Sequence, residues 1–158
     1  MSSQDLYALI KSMDPSLHEG TYVFAIIKGD IPGHLKPISM VREDEGTSII
    51  LHKAQAEEHE IPYVYPAAWI TLRVHSSLET IGLTATISHH LAANGISCNI
   101  VAGYYHDHLF VPSDSGSMAI KILRKISLDP RQFIEDYLSV NTNGVNGFPA
   151  VPISISED

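Results

Sequence analysis

The densest run of chemically competent side chains is Tyr104-Tyr105-His106-Asp107-His108. His106 and His108 stand two residues apart. In an extended segment they would share a face, and with Asp107 or His75 they could bind a divalent metal or move protons. Asp107 would then point away from both imidazoles, and an aspartate at this place also suits a tight turn. A metal site, a structural turn and a ligand lid or subunit contact are the three readings of this run. His89 and His90 are adjacent rather than four apart, so they do not form a helical metal pair. Glu43, Asp44 and Glu45 could hold a cation or form a solvated turn. Cys98 is the single cysteine, which excludes an internal disulfide and a cysteine-based zinc cluster. It falls on the apolar side of its predicted strand, where a thiol is inert. His75, Ser76, Ser77 and Glu79 are neighbours in sequence, which does not supply the geometry of a catalytic triad. No catalytic residue, metal ligand or cofactor is assigned.

Binding chemistry concentrates elsewhere. The corner from Val74 to Ala85 is predicted to pass from strand to helix. A helix N-terminus exposes unpaired N–H groups and a partial positive charge, which suit a carboxylate. Ser76, Ser77, Leu78, Gly82, Leu83 and Thr84 line that corner. Gly82 would sit one turn into the helix, where glycine costs about 0.5–1 kcal/mol against alanine. Close approach of a ligand or of a neighbouring backbone would account for it; ordinary helix–sheet packing is the alternative. On the adjoining predicted strand, Asn99 can both donate and accept hydrogen bonds, and the carbonyls near Ile100 and Ala102 could meet an ammonium group. Asn99 could equally occupy an exposed face.

The elements that must position these groups follow from periodicity. Leu6, Leu9, Ile10 and Met13 recur at helical spacing after Asp5 as N-cap, and Asp14-Pro15 ends that helix. Thr21 to Lys28 reads as a strand buried on both faces. Residues 29–36 form a loop. Ile38 to Glu43 and Thr47 to Lys53 pair as a hairpin around Gly46. Ala54 to Glu60 forms a short helix, and a further strand is expected near Tyr63 to Tyr65. In Ala67 to His75, Ile70, Leu72 and Val74 face one way; Trp69, Thr71, Arg73 and His75 face the other. Ser76 and Glu79 form a capping-box pattern before a helix with the stripe Leu78, Ile81, Ala85, Leu91 and a stop at Asn94-Gly95. Ile96 to Gly103 and His108 to Pro112 are strands about a turn. Asp114 caps a helix with the stripe Ala119, Ile122, Leu123 and Ile126, and Arg131 to Val140 adds one more. From Asn141 the composition shifts to Asn, Gly, Pro and Ser, which reads as a flexible tail.

The chain has 158 residues, 44% of them hydrophobic, with mean hydropathy +0.05, so it can bury a core. Its formal charge of −8 offers no footprint for nucleic acid or an anionic membrane. The N-terminus lacks a basic, apolar leader pattern, and the longest apolar run, Tyr22 to Ile27, is far short of a membrane span. A soluble, cytoplasmic protein is expected. There is no G-x-G-x-x-G and no Walker loop.

The stretch HSSLETIGLTATISHHLAANGISCNIVAGYYHDHLFVP, His75 to Pro112, resembles the ACT-domain superfamily. TYVFAII at Thr21 to Ile27 and REDEGTSIIL at Arg42 to Leu51 extend the likeness, which covers about Leu6 to Ser127. The chain is most similar to small stand-alone tandem ACT proteins and is similar to the regulatory ACT units of aspartate kinase. The resemblance implies an α+β, ferredoxin-like fold of βαββαβ units, with antiparallel sheets and helices on one face. It implies an incomplete ACT-like half at 1–66, an ACT unit at 67–128, and a short helix and tail at 129–158. It implies ligand binding at the corner above, with a small metabolite, an amino acid in particular, as ligand, and homo-oligomers formed through paired sheets. Two departures stand out. The first half has only a loop where its first helix belongs, and the second lacks a fourth strand after Ile126. A strand lent by the first half could close the second sheet. A sheet-paired interaction module without ligand and a small enzyme using His75, His106, Asp107 and His108 are the rival functions. Deleting residues 141–158 is expected to change stability by about 1 kcal/mol or less, read from thermal melting.

Overall fold

A computed structural model describes residues 3–74 and 81–142. Helix α1 (Ser3–Ser12) buries Leu6 and Ile10, with Met13 just beyond it. It starts before Asp5, which is therefore not its cap. After it comes a strand that the sequence pattern did not predict, β1 (Asp14–Leu17). β2 (Tyr22–Ile27) is followed by a loop and by the hairpin β3 (Ser39–Glu43) and β4 (Gly46–His52). Gly46 opens β4 at φ 149°, and a Cβ there would lie 2.7 Å from the Ile27 carbonyl oxygen. α2 (Lys53–Glu58) leads to β5 (Tyr63–Arg73), an eleven-residue strand that absorbs two predicted segments. α3 (Leu83–Ala93), β6 (Asn99–Ala102), β7 (Asp107–Pro112), a single 3-10 turn (Ser113–Ser115), α4 (Gly116–Leu128) and α5 (Pro130–Thr142) complete the described chain.

All strands join one antiparallel sheet in the order β3-β4-β2-β5-β7-β6, with β1 paired to β5. Two ferredoxin-like units share β5. In one, the order is β3-β4-β2-β5, with α2 as the helix and residues 28–38 as a loop in place of the other. In the second, the order is β1-β5-β7-β6, with α3 and α4. β1 supplies the strand absent after α4, so the first part of the chain closes the second sheet. DPSL has the residues of a turn, and its pairing with Leu72 and its neighbours overrides that local preference. Pro15 is tolerated because β1 hydrogen-bonds only to β5.

The helices cover one face of the sheet. Ile70 and Leu72 from β5, Val74 just after it, and Leu109 and Val111 from β7 pack beneath α1, α3, α4 and α5. Val23, Ala25, Ile49 and Leu51 pack beneath α2 and Leu35. β2 is therefore not buried on both faces along its length: Tyr22 and Val23 are enclosed, and Ile26 opens to solvent. α3 also departs from the predicted stripe. Leu83, Ile87 and Leu91 form its core row, and Ile81 precedes the helix in solvent. The capping pair Ser76 and Glu79, and Leu78, lie outside the described residues. Asp114 does not cap α4; it accepts from Ser115 Oγ at 3.0 Å within the preceding turn. Asn141 belongs to the last turn of α5, so a silent deletion must begin after Thr142.

Gly116 starts α4 against β5. A Cβ there would fall 2.7 Å from the Ala68 Cβ, whereas one at Gly33 meets nothing within 4 Å. Gly116→Ala is expected to cost about 1–3 kcal/mol in urea unfolding, as overpacking does. Gly33→Ala should be nearly neutral.

Candidate functional site

The corner between β5 and α3 is built on Gly82. This residue is the N-cap of α3 at φ 97°, not a position one turn inside it. The left-handed backbone explains the glycine. A Cβ would also lie 3.1 Å from Leu6 Cδ2. Gly82 has no side chain to cap the helix, and the first helical bond runs from Thr86 N–H to the Gly82 carbonyl at 2.9 Å. The N–H groups of Leu83, Thr84 and Ala85 precede it and have no partner within the helix. Leu83 is buried, so only its backbone can reach a ligand, and Thr84 is exposed. Thr86 is buried, and its hydroxyl has no hydrogen-bond partner among the described residues.

Ala102 pairs with Asp107, which pairs with Leu72. The end of β6 therefore lies at the sheet end from which the chain leaves for α3. Ile100 packs against the helix-covered core. Asn99 does not join this group: it pairs with Phe110, whose ring is on the opposite face. The structure thus gathers Gly82, Leu83 and Thr84, sets Ala102 at the same end of the sheet, and turns Asn99 away. Ser76 and Ser77 lie outside the described residues, as does His75.

The Tyr104–His108 run divides between a tight turn at Gly103–His106 and the first two residues of β7. Gly103 N–H donates to the His106 carbonyl at 2.9 Å, and a Cβ on Gly103 would lie 2.7 Å from that oxygen. Tyr104 and Tyr105 are exposed at its tip. Asp107 and His108 are consecutive in β7 and face opposite sides of the sheet. Among the described residues, no three His, Cys, Asp or Glu side chains converge on a point that could hold a metal. Burial pushes the Cys98 thiol up to about 12.

On the face without helices, the sequence reading missed a connected cluster. The ring of His18 stacks on Trp69 at 3.5 Å, and its Nε2 lies 2.8 Å from Thr71 Oγ1. Thr71 Oγ1 lies 3.0 Å from His108 Nδ1, and Trp69 Nε1–H donates to the same Nδ1 at 3.2 Å. An indole can only donate, so His108 Nδ1 accepts, and its proton is on Nε2. The Thr71 hydroxyl then donates to His108 and accepts from His18 Nε2–H. Trp69 and Thr71 were legible as face-mates in the alternation of β5. His18 was not, because β1 was not predicted.

Burial, then the nearby His108, then Arg73 hold the His18 pKa below its ordinary value. Burial and His106 lower that of His108, with Asp107 opposing. Burial raises the Asp107 pKa, against the pull of both histidines. For each histidine the unfolded chain binds protons more readily than the folded one. Their contribution to stability is therefore present above about pH 6.5 and lost as pH falls through the lowered folded-state values. The melting temperature is expected to fall as pH drops from 7.5 to 5. His108→Asn can keep an acceptor near the Nδ1 position without titrating, so it should flatten that fall. An unaltered slope in both His108→Asn and His18→Asn would show that the cluster carries no such linkage.

Two ACT-domain families match the chain, one over residues 2–68 and the other over residues 64–125. No curated protein matches. Among solved structures, a Vibrio cholerae protein described as of unknown function and a possible transport protein is 38% identical. That likeness covers 78% of this chain and 97% of the other, with a TM-score of 0.72. An Agrobacterium tumefaciens protein is 20% identical over 73% of this chain and 89% of its own, with a TM-score of 0.59. The ligand-free regulatory subunit of aspartate kinase from Thermus thermophilus is 13% identical over 72% of this chain and 95% of its own, with a TM-score of 0.56. At such identities these two show the fold alone. With both halves matched and the Vibrio protein covered almost end to end, the chain belongs to the ACT-domain family, as a tandem ACT protein of ferredoxin-like architecture.

Proposed function

We propose that the chain is a non-catalytic regulatory module that binds a small metabolite, an amino acid in particular, at the β5–α3 corner. ACT domains are generally regulatory modules that bind small molecules, often amino acids. The observation that carries the finer reading is the start of α3. Its first-turn N–H groups are uncapped by the N-cap residue, and the buried Thr86 hydroxyl has no partner among the described residues. Unpaired donors and a helix dipole favour a carboxylate. The strand end at Ala102 adds backbone carbonyls suited to an ammonium. We further read the protein as cytoplasmic and self-associating. No helix among the described residues is long and apolar enough to cross a membrane. We take the two units to meet within β5, near residue 66, with α5 packed on the core of the second. A second reading, an interaction module without ligand, is favoured by the apolar sheet face that the helices leave uncovered.

A thermal-shift panel of the common amino acids tests the first reading. A ligand that binds only the native state at 100 times its Kd adds about 2.7 kcal/mol of stability. At least one amino acid is expected to raise the melting temperature clearly. Thr86→Val, nearly isosteric, should fold normally and lose most of that response. No shift with any amino acid at millimolar concentration would overturn the metabolite reading in favour of the interaction module.

A further inference from the structure

We infer that the helix-free face of the sheet is the surface through which two copies of this chain pack, sheet against sheet, with Trp69 near the centre. This rests on the self-association proposed above and specifies the surface. In a one-sided antiparallel sheet the open face ordinarily carries polar residues. Here it does not. Tyr22, Ile50, Ala67 and Phe110 form a buried cluster on it, with Phe24 and Trp69 packed against them. Rings meet edge to face from Tyr22 to Trp69 at 5.2 Å and from Phe24 to Phe110 at 5.6 Å. The apolar character continues beyond the cluster into solvent. Val64 pairs with Phe24 and is 68% exposed; Val41 and Ile26 both pair with Ser48 and are 55% and 43% exposed.

The distribution of charge identifies the occupant. Strand positions on this face bring charged side chains only at its ends, Asp14 and Arg73 at one and Glu43 at the other. The middle has only apolar, aromatic, hydroxyl, amide and imidazole groups. A chain with a formal charge of −8 repels its own copy. A surface that keeps carboxylates away from carboxylates minimises that repulsion, and this face is such a surface. An aromatic centre depleted of charge with a charged rim is also the composition of a protein interface. The area suffices. Six hydrogen-bonded strands about 4.8 Å apart and about 20 Å long give a flat footprint of roughly 600 Å² per copy. Two copies then bury at least about 1,200 Å², the lower end for a specific interface. A pair of imidazoles, His18 and His108, lies on this face, joined through the Thr71 hydroxyl.

Trp69 is the only tryptophan in the chain, so its fluorescence reports this surface directly. Sedimentation equilibrium of the full chain at pH 7.5 is expected to give twice 17.3 kDa at micromolar concentration. Trp69 emission should shift to shorter wavelength along the same concentration curve. Val64→Lys places a charge at an exposed position on the face, where it leaves the monomer fold intact. It should weaken the dimer at least 100-fold. Met40→Lys adds the same charge at a 60% exposed position on the other side of the sheet and should leave the dimer unchanged. A monomer at 100 µM overturns self-association itself and leaves this face to another partner. A dimer whose Kd withstands Val64→Lys, or whose formation leaves Trp69 emission fixed, overturns this surface while self-association stands.

Discussion

One edge of β5 has to serve two neighbours, and most of the architecture follows from that. Residues 63–67 pair with β2, residues 70–73 pair with β1, and the opposite edge takes β7 along residues 67–72. A regular strand would keep strict alternation through the handover. Here the register shifts between Tyr22 and Phe24, and Tyr65 takes φ 52°. A left-handed conformation in a non-glycine residue costs about 1–3 kcal/mol and persists only where its surroundings over-determine it. The surroundings are specific: the Tyr65 ring meets Phe24 edge to face at 5.7 Å, and its hydroxyl shares a 2.9 Å hydrogen bond with Ser97. The irregularity lets Tyr63 join the core under α2, with Ala68 and Ile70 joining the core under α4 on the same side. Both helical layers therefore fall on one face.

That one-sidedness explains the character of the other face. With no helix to cover it, the aromatic side chains of β2, β5 and β7 shield one another. Phe110 and Ala67 are fully enclosed, in a cluster with Tyr22, Ile50, Phe24, Tyr65 and Trp69. The polar atoms packed beside Trp69 are hydrogen-bonded, as the chain from His18 through Thr71 to His108 and Trp69 illustrates. A buried hydroxyl with two partners in a row costs little, whereas the same hydroxyl alone would cost on the order of 1–3 kcal/mol. Thr71 and Thr86 are both buried threonines; the first has partners on both sides and the second has none among the described residues. That difference marks Thr71 as part of a closed hydrogen-bond chain.

The sequence made the sheet and its sidedness legible where period and burial agreed. Ile70, Leu72 and Val74 alternate against Trp69 and Thr71 because one face of β5 is dry, and the hairpin at Gly46 declares itself by a residue that tolerates φ > 0. The resemblance that supplied the fold rested on long motifs rather than on these patterns. Legibility ended where local preference and tertiary pairing disagree. Asp14-Pro15-Ser16-Leu17 reads as a turn and is a strand, because the exposed edge of β5 is a better partner than water. Gly82 reads as a helix-interior glycine, yet the helix begins one residue later, since the apolar row that matters is Leu83, Ile87 and Leu91. Asn99 reads equally as a ligand partner or as an exposed face position, and the antiparallel register with Phe110 selects the exposed one. The cluster at His18 depends on a contact across 53 residues and on β1, and nothing local announces it.

The two units do not offer equivalent binding corners, and the cause is a missing helix. In the second unit the chain leaves β5 and enters α3, which presents N–H groups and the positive end of a helix dipole. In the first, the chain leaves β2 into the loop 28–38, where Leu35 and Ile31 dip into the small core under α2. The equivalent corner has no helix terminus; its groove is lined by Gly29, Asp30, Met40 and Arg42 instead. A carboxylate there would meet a solvated guanidinium beside an aspartate, which is a weaker and less directional attraction than several aligned N–H groups. The loop thus divides labour between the halves. The first unit contributes strands, lending β1 to its neighbour's sheet and pairing β2 with the shared strand, and the second has the helix start on which the proposed binding reading depends.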